Sequence, residues 1–124
     1  ARVFERFPNL RVALLESNCS WAPWLLYRLD EHYEWTGRYE APELTMPPSE
    51  YFKRNCWISV EADEEPVPHF ISTFGDEKLL FSTDYPCQYR PGREARGFLD
   101  RVPLDEAGRA MFAHGIWERL TGAS

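Results

Sequence analysis

Three short apolar runs punctuate the chain, and each one ends at a carboxylate. Leu10–Leu15 is followed by Glu16-Ser17-Asn18, Cys56–Val60 by Glu61-Ala62-Asp63, and Leu79–Asp84 closes on its own aspartate. A near-continuous apolar run, without polar alternation, is the pattern of a strand buried on both faces, as in a parallel sheet. Between the runs the spacing becomes helical. A helix is predicted from Trp21 to about Glu34, capped at Ser20, with Pro23 tolerated in its first turn and Leu25, Leu29 and Tyr33 as its packed stripe. Residues 36–48 hold three prolines and one glycine and are read as a loop, followed by a short helix over Ser49–Arg54 capped near Ser49. The acidic stretch Glu61 to Glu65 leads into a helix through Phe70, Ile71 and Phe74, which Gly75 ends. Further helices are expected near Glu94–Arg101 and Asp105–Leu120, with His114-Gly115 as a candidate interruption of the last.

Strands alternating with helices imply an α/β domain with a parallel sheet, and residues 1–124 are read as one such domain. Three parallel strands alone would keep unpaired edges, so the missing strands are expected from the rest of a barrel or from another chain. At 124 residues the chain is about half of a (β/α)₈ barrel, which typically runs to ~250 residues. The opening segment, Val3 to Asn9, reads as a helix about to end at Pro8, which leads to the expectation that something precedes it.

Composition narrows the function classes. A hydrophobic fraction of 44% with five Trp, six Tyr and eight Phe belongs to a folded protein. The net charge of −6 argues against nucleic acid as the main partner, because phosphate binding needs a basic patch. No apolar run approaches the ~20 residues that span a bilayer, so no membrane partner is expected. Cys19, Cys56 and Cys87 show no Cys-x-x-Cys spacing and read as free thiols of a cytoplasmic protein.

Candidate chemistry concentrates where α/β proteins keep it, at the C-terminal ends of the strands. Asp84, followed by Tyr85-Pro86, is placed to ligate a divalent metal or to accept a proton from metal-bound water; a helix cap or loop ion pair is the plain alternative. Trp21, with Trp24, Tyr27 and Tyr33, could line a pocket for an aromatic acid or serve as interface or core packing. Trp21, Tyr85 and Arg90 are the candidate substrate-binding residues; Arg90 and Arg93 could pair with a substrate carboxylate or remain solvated loop charges. His32, His69 and His114 fall in helices or helix approaches, away from the strand ends, and are not read as ligands.

The segments Phe4-Glu5-Arg6-Phe7-Pro8-Asn9-Leu10-Arg11-Val12, Leu15-Glu16-Ser17-Asn18 with Trp21-Ala22-Pro23-Trp24, Pro48-Ser49-Glu50-Tyr51-Phe52 and Leu80-Phe81-Ser82-Thr83-Asp84-Tyr85-Pro86 occur in this order. Together they resemble the C-terminal half of the amidohydrolase-related proteins, metal-dependent TIM-barrel hydrolases and aromatic-acid decarboxylases. The resemblance implies that the strands are the sixth, seventh and eighth of a barrel, and that Asp84 is the metal-ligating, proton-handling aspartate. It sets Glu16 where decarboxylase members carry a histidine and other members carry Glu-Ser. That carboxylate could touch substrate, act as acid or base, or simply bond neighbouring loop amides. The family's His-x-His pair and mid-barrel histidine have no counterpart here, Cys87 stands where His often follows Tyr-Pro, and His114-Gly115-Ile116-Trp117 replaces Gly-x-Asn-Ala.

Two functions follow. One is a hydrolase or non-oxidative decarboxylase that acts on a small carboxylated or aromatic substrate with a divalent metal, zinc by expectation, whose histidine ligands come from a missing N-terminal half. A lone Asp does not hold zinc, so this chain by itself is expected to be inactive. The other is a non-catalytic half-barrel that closes its edges as a homo-oligomer or on a partner.

Overall fold

The computed structural model describes residues 2–62, 64–83 and 93–122. Three strands, β1 (Val12–Leu14), β2 (Cys56–Glu61) and β3 (Leu79–Ser82), form one parallel sheet in the order β1-β2-β3. Val12 pairs with Cys56 and Leu14 with Ile58; Ile58 in turn pairs with Leu79 and Glu61 with Ser82. Side chains alternate along a strand and share a face with their register partners. One face therefore carries Val12, Leu14, Cys56, Ile58, Val60, Leu79 and Phe81, and the other Ala13, Trp57, Ser59, Glu61, Leu80 and Ser82.

The first face holds the core. Helix α1 (Val3–Arg6) precedes β1; α2 (Trp21–Glu40) and α3 (Pro48–Asn55) follow it, α4 (Val67–Phe74) follows β2, and α5 (Arg93–Arg101), α6 (Glu106–Ala110) and α7 (Ile116–Thr121) follow β3, with a π-helical segment, Met111–Gly115, joining α6 to α7. Ala22, Leu26, Phe52, Val67, Phe70, Phe98, Val102, Phe112 and Ile116 pack with Ile58, Val60 and Leu79 into one buried cluster. Phe81 stacks on Phe98 at 5.9 Å between centroids and meets Phe112 at 5.8 Å, an aromatic trio that holds β3 against the C-terminal helices. Asn55, 2% exposed, donates from Nδ2 to the carbonyls of Pro8 (2.9 Å) and Leu10 (2.7 Å) and so fixes the chain entering β1 beside the start of β2.

The strands and most helices lie where the apolar pattern predicts them, and the π-helical segment falls at the expected interruption around His114-Gly115. Three expectations are corrected. Residues 36–40 are not loop: α2 continues to Glu40 through Gly37. A Cβ at position 37 would lie 2.4 Å from Tyr33 Cδ2, so the glycine is a slot for the tyrosine ring, whose hydroxyl donates to the Leu44 carbonyl at 3.1 Å. Packing outweighs the modest helix penalty of glycine. Next, the buried stripe of α2 runs through Ala22, Leu26 and Gly37, while Leu29 is 41% exposed. Finally, Ser49 is not the cap of α3 but sits inside it, and its N–H donates to Asp30 Oδ1 of α2 at 2.9 Å. A carboxylate from a neighbouring helix thus satisfies one of the orphan donors of the first turn. No helix among the described residues is long and apolar enough to cross a membrane.

Candidate active site

Because the strands are parallel and adjacent, their C-terminal ends form one edge of the molecule. The end of β1 turns sharply: Glu16 and Asn18 have φ of 53° and 55°, left-handed values uncommon for residues with a Cβ. Two bonds hold this turn in place. The Glu16 N–H donates to Ser59 Oγ of β2 at 2.8 Å, and the Ser17 hydroxyl donates to the Leu14 carbonyl at 3.1 Å. Ser59 is 5% exposed and lies on the second face of the sheet, so a buried strand hydroxyl anchors the loop that carries the exposed Glu16 side chain.

Glu64 closes the same edge. Its side chain is buried, yet Oε2 accepts the Cys19 N–H at 3.0 Å and Oε1 the Glu61 N–H at 2.8 Å. One carboxylate thereby ties the loop after β1 to the loop after β2. Burial, with the nearby Glu64 charge second, pushes the thiol of fully buried Cys19 up to about 12. Cys19 is therefore a neutral packing residue and not a nucleophile.

The third strand end leads from Ser82, register partner of Glu61, through Thr83 toward Asp84. Trp117 of α7 donates from Nε1 to the Phe81 carbonyl at 3.2 Å and secures the strand just before that end. In place of the expected Gly-x-Asn-Ala, the π-helical segment and Trp117 brace the last strand. A Cβ on Gly115 would lie 2.5 Å from Met111 Sδ, so the methionine thioether packs into the space that this glycine leaves.

Of the residues singled out from the sequence, Asp84, Tyr85, Cys87 and Arg90 lie outside the described residues. Glu16 stands at the strand-end edge. Trp21 is half-buried in the helix layer: its indole N–H donates to the Ser17 carbonyl at 2.8 Å and its ring meets Phe52 edge-on at 6.4 Å. It also lines a hollow of about 400 Å³ between α1, α2 and α3, with Phe4, Leu25, Leu29 and Phe52. His32, in α2, bonds Glu40 at 2.8 Å; His69 is in α4 and His114 in the π-helical segment, so all three are in helical segments, as expected. Glu64, Ser59 and Trp117 escaped the sequence reading. Each acts through a partner distant in the chain, and only the position of Glu64 just past an apolar run hinted at its place. Among the described residues no three His, Cys, Asp or Glu side chains come together to hold a metal ion, so by themselves these residues do not fit one.

Strand-end carboxylates on a parallel sheet belong to a wide class of barrel enzymes, and the comparisons narrow it. The amidohydrolase family profile matches residues 1–115, and the chain belongs to that family. It is similar to the 2-amino-3-carboxymuconate-6-semialdehyde decarboxylase of Dictyostelium discoideum, 29% identical over 84 residues that make up 68% of this chain and 23% of that protein. Among solved structures, 5-carboxyvanillate decarboxylase from Sphingomonas paucimobilis superposes with a TM-score of 0.79 at 31% identity, over 98% of this chain and 36% of that one. A dihydroxybenzoic acid decarboxylase from Polaromonas sp. JS666, solved with manganese and the inhibitor 2-nitroresorcinol, shares the fold at a TM-score of 0.74 and 21% identity, over 96% of this chain and 36% of its own. The chain thus spans between 23% and 36% of the length of these relatives. Its open three-stranded sheet corresponds to part of their TIM barrel.

Proposed function

We infer that the chain contributes the closing strands of a metal-dependent barrel that removes a carboxyl group from a small aromatic acid, with Asp84 as its proton-handling residue. The observation that carries this reading is the adjacency of the three strand ends. Ser59 of β2 holds Glu16 after β1, Glu64 joins the loops after β1 and β2, and Ser82 pairs with Glu61 two residues before Asp84. Relatives from two sources are decarboxylases of aromatic or muconate acids, which favours decarboxylation over hydrolysis.

In such a reaction carbon dioxide leaves, its bonding electron pair stays on the ring carbon, and that carbon takes up a proton. Asp84 would hold this proton on a carboxyl oxygen and deliver it. Glu16 at the rim would act as a second acid or base or touch substrate, and Arg90 and Tyr85 would pair with the substrate's remaining polar groups. Trp21 would bound the aromatic end only if the substrate reached the helix layer. A divalent metal, manganese or zinc, would stabilise negative charge on the substrate, with its histidine ligands supplied from outside these residues. The free, buried Cys19 and Cys56 accord with a cytoplasmic setting.

A second reading has one observation in its favour: among the described strands β1 and β3 each pair with β2 alone. That leaves edges through which a non-catalytic half-barrel could associate. Turnover separates the two. The protein as its gene encodes it, loaded with Mn²⁺ or Zn²⁺, should release carbon dioxide from hydroxylated benzoates. A folded protein that releases none with either metal would leave the half-barrel reading.

A further inference from the structure

The turn that leaves β1 is held at both ends by the next strand and its loop. Ser59 Oγ of β2 accepts the Glu16 N–H at 2.8 Å, and Glu64 Oε2 accepts the Cys19 N–H at 3.0 Å. Between these anchors the Trp21 indole donates to the Ser17 carbonyl at 2.8 Å. Glu16 and Asn18 keep left-handed backbones within this frame, and both side chains are exposed. Such a backbone at a residue with a Cβ persists where its surroundings hold it, and it gathers at sites that present a side chain in one fixed direction.

Ser59 also fixes the side of the sheet on which Glu16 stands. The core shared with the helices lies on the face of Ile58 and Val60, and Ser59 belongs to the opposite face. Helices ring a barrel of this kind from outside, so the opposite face lines its interior. An N–H that reaches Ser59 Oγ is turned inward, which sets Glu16 on the inner rim of the strand ends. The stretches 15–20 and 61–66 that leave β1 and β2 contain Glu16, Glu61, Asp63, Glu64 and Glu65 but no Lys, Arg or His.

We propose that Ser59 is a positioning residue for substrate selection: it aims the Glu16 carboxylate at a ring hydroxyl, so that the site takes hydroxylated benzoates with one carboxylate and turns away those with a second. The substrate class rests on the reaction inferred above, but the selection is read by binding and not by turnover. An ionised carboxylate accepts hydrogen bonds and donates none, so Glu16 pairs with a hydroxyl donor on the ring. A second ring carboxylate in the same place would set two like charges together, with no cation from either stretch to separate them. Ser59 acts through the backbone of Glu16 and not by contact with the ring.

Two compounds isolate the group in question. 2,5-Dihydroxybenzoate and 4-hydroxyisophthalate share a carboxylate and its neighbouring hydroxyl, and differ in carrying a hydroxyl or a carboxylate at one further ring position. Isothermal titration into the protein as its gene encodes it, loaded with Mn²⁺, should show the dihydroxy compound bound roughly tenfold more tightly. Glu16→Gln should remove most of that preference. Ser59→Ala should do the same by freeing the turn, and Ser59→Thr, which keeps the oxygen, should retain it. Ser59→Ala combined with Glu16→Gln should lose no more than Glu16→Gln alone. Far-UV circular dichroism reports the fold of each variant, and the exposed Glu16 tests the selection even where Ser59→Ala disturbs the strand. No binding of either compound, equal affinity for the two, a preference that survives Glu16→Gln, or a Ser59→Ala variant that weakens both compounds alike would each overturn the proposal. Discrimination without carbon dioxide release would keep the selection and remove the reaction; release without discrimination would do the reverse.

Discussion

Glu64 and Cys19 lie 45 positions apart, yet the buried carboxylate of the first accepts the backbone N–H of the second at 3.0 Å. Its other oxygen takes the Glu61 N–H, so one side chain fixes the geometry of two strand ends. Replacement by alanine should strand two buried donors at ~1–3 kcal/mol each. Glu64→Ala is expected to lose about 2–5 kcal/mol in urea denaturation, and Glu64→Gln, which keeps one acceptor, distinctly less. Equal losses would mean that bulk and not hydrogen bonding matters at this site.

The Cys19 thiol supplies a pH signature. Its folded value is raised to about 12 from the ordinary thiol value of 9.0, chiefly by burial, so the folded state keeps the proton that the unfolded state gives up. Stability is then full below pH 9 and declines as pH rises through this window, by about 1.4 kcal/mol per unit while the unfolded thiol is ionised and the folded one is not. Cys56 is shifted in the same direction, again mainly by burial, and adds to the slope. Denaturation midpoints measured from pH 8 to 11 should fall in the wild type and fall less steeply in Cys19→Ala. At pH 8 a thiol reagent should label Cys19 only after unfolding.

Gly37 gives the opposite of a propensity-based expectation. Alanine normally favours a helix by ~1 kcal/mol over glycine, but here the new Cβ would press on Tyr33 Cδ2 at 2.4 Å and on Cγ at 3.0 Å. The ring would have to leave its slot and give up the Leu44 carbonyl. Gly37→Ala is expected to destabilise by ~1–3 kcal/mol on thermal unfolding; a stabilised variant would show that the tyrosine moves freely.

These residues also mark what the sequence could and could not reveal. The strands were legible because Leu10–Leu15, Cys56–Val60 and Leu79–Phe81 are apolar but for Arg11 and Ser59, and the end of α4 because Gly75, at φ 81°, supplies a backbone that side chains resist. The course of α2 past Gly37 was not, because glycine reads as a stop unless the tyrosine four residues earlier is known to need its space. Asp30 capping α3, and Glu64 bonding Cys19, join positions 19 and 45 residues apart that no local pattern links. Of the chemistry, the strand-end placement of Glu16 was legible from its position after an apolar run, whereas its anchor, Ser59, lay unmarked within another such run.

The inferred reaction turns on the carboxyl group that follows Thr83. Carbon dioxide release by metal-loaded protein should fall by about 10²–10⁴-fold in Asp84→Asn, the usual contribution of a positioned acid or base, with the melting temperature unchanged. Release within tenfold of the wild type would remove Asp84 from the chemistry and with it the reading of these strand ends as an active site.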